Sequence, residues 1–286
     1  MFAGFIAITL TIFGCTGRDT IVNKEKLNGY DYRLFQGTPA WTLAKAVQDQ
    51  DTTEIINIVA KNKTLLEARD SKFGETLLQI GVMTLKYQSV KTLVSLGADP
   101  NSQDKYAGSS PLMEAADIIL TDKGDYGSNP KYLKLLLEHG GDPNSEQKGE
   151  RPPGYNVRLT PLLNACGTGH LDYVKLLVDA GADVKYVNRE STPLFKAAFS
   201  PTPTEVVIYL IEKGADYKKP IMKTIDGSNL YITDIMRDWR FELNSNEYKK
   251  KMQLADFLKK NGMDYWKTEI PKQYYESYSK DYLEKY

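Results

Sequence analysis

Apolar residues recur in this chain at intervals that predict short helices arranged in pairs. Residues 160–185 carry two apolar sets at helical spacing: Leu162, Ala165 and Cys166, and then Leu171, Val174, Leu177 and Val178. Thr160-Pro161 suits a helix start, because a hydroxyl caps free amides and proline fits the first helical position. Gly181 suits a helix end, because glycine tolerates the left-handed cap. Neither helix has enough apolar surface to fold alone, so each requires neighbours.

The same start and end signals recur along the chain. Helices are predicted to start at Thr76-Leu77-Leu78, Ser110-Pro111-Leu112, Thr160-Pro161-Leu162 and Thr192-Pro193-Leu194. They are predicted to end at Gly97-Ala98-Asp99, Gly140-Gly141-Asp142, Gly181-Ala182-Asp183 and Gly214-Ala215-Asp216, with a weaker copy at Gly262-Met263-Asp264. This pattern resembles the ankyrin repeat, which has a period of about 33 residues. The resemblance implies an all-α solenoid of helix pairs with short finger turns, about five to six repeats including degenerate caps.

The rest of the chain shows four features beyond the regular repeat. Residues 121–130 lengthen the loop between the helices of one repeat, and residues 145–157 lengthen the finger before the next; both are interpreted as drift or as functional loops. Residues 249–251 are three lysines of a degenerate closing repeat, which we assign to a solvated helix face. Beyond Trp266, a tyrosine at every fourth residue predicts one helical stripe that packs on the end of the stack, or else a partner surface, at Tyr274, Tyr278, Tyr282 and Tyr286.

The amino terminus predicts an export signal. Residues 1–13 are apolar but too short to span a membrane as a helix, so residues 1–15 are interpreted as a signal peptide. Its ending at Gly14-Cys15 resembles a bacterial lipobox, which implies a lipid on Cys15, although no basic residue precedes the run and Phe13 replaces a small residue. The alternatives are a plain secretory signal and a buried terminal helix. Four segments follow: signal peptide 1–15, tether 16–38 (partly ordered if its aromatic residues pack), repeat domain 39–265 and tail 266–286.

Composition narrows the chemistry. Lys plus Arg equals Asp plus Glu at 37 each, so no global field favours nucleic acid. The two histidines, His139 and His170, occupy repeat positions, and Cys166 occupies a small buried position, so no zinc set and no free general base is expected. The sequence has no glycine-rich phosphate loop. We therefore expect no enzyme, no metal and no cofactor.

The resemblance places the partner surface on a concave face made by the finger tips and first helices. Mapped by register, its candidate residues are Lys72, Phe73, Met83, Tyr106, Asp117, Tyr155, Arg158, Thr168, Arg189 and Phe199. Exposed aromatic residues and arginine are common anchors of interfaces. Tyr106, Tyr155 and Arg158, from two neighbouring fingers, form the preferred cluster.

The resulting hypothesis is a monomeric, stoichiometric protein binder, attached to a bacterial cell envelope through Cys15 and facing the periplasm, at the outer rather than the inner membrane. Neutralising a toxin and assisting an envelope enzyme are both compatible with the resemblance. Two other classes stay open: a hydrolase with a carboxylate site in the inserted loops, and an envelope scaffold. A soluble secreted or periplasmic protein is the alternative location.

Overall fold

The computed structural model describes residues 18–149, 157–189 and 191–286. The predicted signal peptide with Cys15, and Tyr155 of the preferred cluster, lie outside these residues. Twelve helices follow one another in six pairs: α1 (Trp41–Asp49) and α2 (Thr52–Lys61), α3 (Leu77–Met83) and α4 (Tyr87–Ser95), α5 (Pro111–Ala115) and α6 (Lys131–Glu138), α7 (Pro161–Thr168) and α8 (Leu171–Asp179), α9 (Pro193–Ala198) and α10 (Pro203–Glu212), α11 (Ile232–Met236) and α12 (Asn246–Lys260). A two-stranded antiparallel hairpin, β1 (Met222–Lys223) and β2 (Asn229–Leu230), precedes α11, with Met222 paired to Leu230.

The predicted helix boundaries are confirmed. At the start of four first helices, a side-chain hydroxyl accepts a hydrogen bond from the backbone N–H of the residue three positions later. Thr76 accepts from Gln79, Ser110 from Met113, Thr160 from Leu163 and Thr192 from Phe195. Each such cap stabilises its helix by about 1 kcal/mol. The glycines after four second helices have φ between +88° and +99°, in the region that glycine reaches without steric strain: Gly97, Gly140, Gly181 and Gly214.

Adjacent helix pairs share one continuous core. Each first helix from α3 to α9 packs on the next first helix, and each second helix packs on the next second helix. Leu162, Cys166 and Leu177 are buried within this core, and burial raises the pKa of the Cys166 thiol. Because each pair contacts only its neighbours, the array is stabilised by a series of local interfaces.

Asparagine side chains connect consecutive repeats. Asn101 donates from Nδ2 to the Gly140 carbonyl at 2.9 Å and accepts the Asp142 backbone N–H at 2.7 Å. Asn144 makes the same two bonds one repeat further on. These bonds satisfy backbone groups at the ends of the second helices, which would otherwise lack partners.

The described part of the predicted tether, residues 18–38, does not form a free linker. It contains two 3₁₀ helices, Lys24–Lys26 and Tyr32–Phe35. Leu34 and Phe35 are buried against α1, and the Tyr32 hydroxyl lies 2.7 Å from that of Thr84. The first helix pair has no preceding repeat, so this segment covers apolar surface that would otherwise face water. The alternative of an ordered lead-in is therefore the correct description of these residues.

The tail also differs from its predicted form. The four tyrosines do not lie on one helix, because the chain is extended at Tyr278 between α13 (Tyr274–Ser277) and α14 (Lys280–Lys285). Their rings nevertheless form a continuous row, with centroids 4.9 Å apart for Tyr278–Tyr282 and 5.0 Å apart for Tyr282–Tyr286. Tyr286 is buried against the last helix pair, so the row packs on the end of the stack.

The assignment of Lys251 to a solvated face is wrong. Lys251 lies on the buried face of α12 together with Leu254, Ala255 and Leu258, at the helical spacing of three, four and seven residues. Its side-chain nitrogen donates to the Trp239 carbonyl at 3.1 Å. Lys251 is therefore buried because of the helix face on which it lies, although a charged side chain favours solvent.

Candidate functional site

The loops that lead into the first helices form a row along one side of the array. We call the described parts of these loops finger 1 (residues 68–76), finger 2 (102–110), finger 3 (144–149 and 157–160) and finger 4 (184–189 and 191–192). The fingers, the first helices and the β1–β2 hairpin together are called the finger face. The fingers are joined edge to edge. Lys105 donates its backbone N–H to the Phe73 carbonyl at 3.1 Å. Gln103 bonds to the backbone of finger 3 through both ends of its amide, at 2.7 and 2.9 Å.

Fingers 1 and 2 point their aspartates inward. Asp70 accepts the backbone N–H groups of Lys72, Phe73 and Glu75, each at 2.7 Å. Asp104 accepts four successive N–H groups, from Tyr106 to Ser109. Both aspartates are buried, as expected of residues that form a turn through their own backbone. The finger tips therefore expose aromatic and basic side chains, while their acids serve the loop structure.

One aromatic pair joins the tips of fingers 1 and 2. The rings of Phe73 and Tyr106 meet edge to face with centroids 6.0 Å apart, and the Lys72 ammonium lies 4.9 Å from the Phe73 centroid. Tyr106 remains 66% exposed. Lys72 also donates to the Glu25 and Leu27 carbonyls at 2.8 Å, which holds the lead-in segment against finger 1. Tyr106 is thus the exposed aromatic side chain of this pair.

A second aromatic pair borders a recess on α7 and α9. The rings of Phe195 and Phe199 lie 5.1 Å apart, and Phe199 is 51% exposed. Together with Gly167, Lys196 and Met222, they line a recess of about 410 Å³. A Cβ atom placed on Gly167 would have no heavy atom within 4 Å. The missing side chain of Gly167 therefore leaves open space beside the exposed phenylalanines.

Asp117 lies on the other side of α7 from this aromatic pair, since α7 packs between α5 and α9. Its side chain is exposed, yet partial desolvation raises the pKa of its carboxyl, and the charge of Lys196 opposes that rise. Asp117 and Met83 hold equivalent positions in their repeats, because each is the seventh residue after the N-cap of its first helix, Ser110 for Asp117 and Thr76 for Met83. Met83 is half-buried.

Counting the same interval from Thr160 leads to Gly167, and not to Thr168. Thr168 is only 9% exposed and donates its hydroxyl to the Ala165 carbonyl at 2.8 Å. Its placement on the partner surface is therefore wrong by one residue, because the next residue of a helix turns by about 100° to another face. The equivalent residue that follows from Thr192 is Phe199, as predicted. The correct count would have identified Gly167. Phe195 would have been found as the residue four positions, or about one helical turn, before Phe199.

The preferred cluster is only partly supported by the described residues. Tyr106 is exposed, but Arg158 is half-buried and its guanidinium donates to the Gln147 carbonyl within finger 3. Arg189 is exposed at the tip of finger 4. Of the predicted residues, Lys72, Phe73 and Tyr106 thus lie together at the tips of fingers 1 and 2, and Phe199 lies beside the recess at Gly167.

Four buried or half-buried acids, Asp70, Glu75, Asp104 and Glu114, lie close together beneath fingers 1 and 2. Glu75 accepts the Tyr30 backbone N–H at 2.8 Å, and Gln79 donates to Asp104 at 3.0 Å and to Glu114 at 3.5 Å. Desolvation raises the pKa of Glu75 to about 7 and also raises that of Glu114. The lead-in segment covers these groups, so we assign them a structural role.

The chemistry-bearing residues elsewhere also have structural partners. In the loop 121–130, Asp122 pairs with Lys131 and accepts from Asn129, and these bonds lower the pKa of its carboxyl. His139 Nδ1 lies 2.9 Å from the Leu135 carbonyl, and His170 contacts the Tyr173 ring. Over the described residues, no three His, Cys, Asp or Glu side chains are grouped for a metal ion.

The fold and the finger face define a class of proteins, namely solenoids of helix pairs that present a row of loops. A family model described as "Ankyrin repeats (3 copies)" matches residues 112–221. Protein PhlB of Serratia liquefaciens is 33% identical over 176 residues, which are 61% of this chain and 69% of PhlB. The chain belongs to the ankyrin repeat family.

Two further similarities agree with this assignment. Alpha-latrocrustotoxin-Lt1a of Latrodectus tredecimguttatus is 31% identical over 168 residues, which are 56% of this chain but only 10% of the toxin. The crystal structure of EF0377, an ankyrin repeat protein, superimposes with a TM-score of 0.52 at 22% identity, over 76% of this chain and 96% of that one. The second similarity supports the fold alone. Ankyrin repeats generally mediate contacts between proteins.

In the described part of the chain, no helix has the length and hydropathy needed to cross a membrane.

Proposed function

We propose that this protein is a non-catalytic binding module that holds one partner protein on its finger face. The observation that carries the proposal is the recess at Gly167, which lies open beside the exposed Phe199 ring. Interfaces concentrate their binding energy in a few aromatic and arginine side chains that enter pockets. Phe199 and Tyr106 supply such anchor side chains, and the recess accepts an anchor side chain of the partner.

The location is a further part of the proposal. The apolar run that ends at Gly14-Cys15 supports export and a lipid on Cys15, with the repeats facing the periplasm of a bacterial envelope, at the outer membrane. The similarity to PhlB, a protein of the bacterium Serratia liquefaciens, is compatible with a bacterial origin. In this setting the module would neutralise a toxin or assist an envelope enzyme by forming a stoichiometric complex.

Substitutions at Gly167 test the proposal. We would capture partners from an envelope extract of the source bacterium, identify what is bound, and titrate it against the wild type, Gly167→Trp, Phe199→Ala and the matched control Gly167→Ala. Tryptophan should fill the recess and weaken binding at least about tenfold, equivalent to about 1.4 kcal/mol. Phe199→Ala should do the same, whereas Gly167→Ala should bind like the wild type. A partner that binds all four proteins equally well would show that the recess is not the site, and turnover without a saturable complex would favour an enzyme.

A further inference from the structure

A second cavity lies between finger 4 and the β1–β2 hairpin, next to the recess at Gly167. It is a groove of about 770 Å³, walled on one side by finger 4 and on the other by residues 214–223. Met222 lines both the groove and the recess, so the two cavities adjoin at that side chain. The groove therefore extends the proposed partner surface toward the last repeat.

The rim of the groove is strongly cationic. Its lining includes five basic residues, Lys185, Arg189, Lys218, Lys219 and Lys223, and a single carboxylate, Asp216. Asp216 is paired with Lys219 at 3.0 Å. The other four cations have no carboxylate within 4.0 Å among the described residues.

This excess of positive charge is local. The whole chain has equal numbers of basic and acidic residues, so it does not follow from composition. Glu190 follows Arg189 in the sequence and lies outside the described residues; counting it would still leave three uncompensated cations. A concentrated positive rim attracts an acidic ligand and accelerates its association.

The floor of the groove is apolar. Leu194, Ile211 and Ile221 form it with their buried side chains, and Val187 stands 63% exposed at the mouth. Apolar side chains of a ligand would gain free energy by leaving water here. Nucleic acid, which offers phosphates and flat bases, matches this combination of floor and rim less well than a polypeptide does.

Arg189 is held at the edge of the groove in an uncommon conformation. Asn188 and Ser191 exchange backbone hydrogen bonds at 3.1 and 3.0 Å, which closes finger 4 tightly, and Arg189 has φ +57°. Glycine would adopt this conformation with less strain. Strained residues occur preferentially at binding and catalytic sites, and here the residue is an exposed arginine, a common anchor of interfaces.

We propose that the groove binds an extended segment of the partner protein in which acidic side chains alternate with apolar ones. The acidic side chains face Arg189 and the three unpaired lysines of the rim, and the apolar side chains point toward Leu194 and Ile211. The inference rests on the proposed function, because it names the chemistry of the segment that a protein partner inserts.

Peptide selection tests this assignment even while the partner is unidentified. A phage-displayed library of random peptides is selected on the full chain, and the enriched peptides are synthesised and titrated by fluorescence anisotropy. The groove variant is the double substitution Arg189→Glu and Lys223→Glu, at two exposed positions. The matched control is Lys91→Glu with Lys259→Glu, which makes the same change in net charge at exposed positions of α4 and α12. Circular dichroism melts establish that both variants fold.

Enriched peptides should be acidic and apolar, should bind the groove variant at least about tenfold more weakly than the control, and should lose affinity as salt is raised, since screening weakens exposed charges. Enrichment of basic or uncharged peptides would overturn the inference, as would equal binding by groove and control variants. Labelled double-stranded DNA that binds the groove more tightly than any selected peptide would also overturn it. If Gly167→Trp abolishes capture of the partner while the groove variant does not, the inference fails and the proposed function stands.

Discussion

The side-chain nitrogen Nζ of Lys251 lies 3.3 Å from the centre of the Tyr286 ring, in a site where Lys251 has no exposed surface. The ring of Tyr265 lies 5.2 Å from the same nitrogen, and Arg237 is buried beside it, donating to the Tyr265 and Thr268 carbonyls. Two aromatic faces favour the charged lysine. Desolvation, assisted by the charge of Arg237 and opposed by that of Asp238, lowers the pKa of Lys251 to about 6.

This pKa makes the stability of the last repeat depend on pH. Between about pH 6 and the ordinary lysine value of 10.5, the unfolded chain binds a proton at Lys251 that the folded chain does not. The free energy of unfolding should therefore rise with pH across this window, by about 1.4 kcal/mol per unit at most from this group.

Lys251→Met should remove that dependence and be more stable than the wild type at pH 7, because it buries no ionisable group. Urea denaturation at pH 7, 8 and 9 measures the difference, which should shrink as pH rises. A difference that stays constant over these pH values would contradict the assignment.

Glu75 should show the opposite dependence. Its pKa is raised from 4.5 to about 7, so the folded chain holds a proton that the unfolded chain releases between these values. The stability that Glu75 contributes is fully present below pH 4.5 and is lost as pH rises through 7. Glu75→Gln keeps an acceptor for the Tyr30 N–H and should be more stable than the wild type at pH 8, by roughly 1–3 kcal/mol. The two proteins should converge near pH 5; equal stability at pH 8 would refute the buried, protonated state.

The repeat boundaries were predictable because each is encoded by a few local residues. Helix α7 begins where the Thr160 hydroxyl and Pro161 favour a helix start, and α8 is followed by the glycine cap at Gly181. Neither signal depends on distant contacts. The helix face on which a residue lies must be predicted to the exact position. An error of one position placed the buried Thr168 on the partner surface in place of the open Gly167, because two successive residues of a helix point in different directions.

Long-range packing was only partly readable from the sequence. Packing of the lead-in aromatic residues was an alternative to a free tether, and the sequence could not decide between the two. The burial of Leu34 and Phe35 follows from the lack of a repeat before the first helix pair, which is a property of the assembled stack. Lys251 is buried because α12 turns it toward the tail, although charge alone argues for solvent. The groove beside Arg189 depends on how finger 4 and the β1–β2 hairpin lie side by side, and the hairpin falls where the repeat pattern fades.

Two adjacent leucines of α8 should differ in their contribution to stability. Leu177 is fully buried, whereas Leu176 is half-buried. Leu177→Ala should therefore cost about 2–5 kcal/mol through lost contacts and a cavity, and Leu176→Ala should cost clearly less. Thermal melts of both variants give the comparison, and a larger loss for Leu176→Ala would place the core on the wrong side of the helix.

The proposed lipid at Cys15 can be tested independently of the fold. Cys15→Ser should move the protein from the membrane fraction to the soluble periplasmic fraction, because attached acyl chains are what would hold it at the membrane. Intact mass spectrometry of the wild type should show an acylated cysteine at its mature amino terminus. Membrane association that persists in Cys15→Ser, together with an unmodified wild-type mass, would exclude the anchor.

Gly167 and Gly169, two residues apart at the end of α7, should respond to alanine in opposite ways. Gly167 is helical with open space around it, so Gly167→Ala should raise stability by roughly 0.5–1 kcal/mol, because alanine restricts the unfolded chain and favours the helix. Gly169 has φ +77°, and a Cβ there would meet the Thr202 hydroxyl at 2.5 Å and its backbone nitrogen at 3.0 Å. The left-handed conformation alone costs a non-glycine residue roughly 1–2 kcal/mol, and the contact with the residue that leads into α10 adds to it. Chemical denaturation of the two variants should therefore bracket the wild type, and a stabilising Gly169→Ala would show that the turn between α7 and α8 is not the one described.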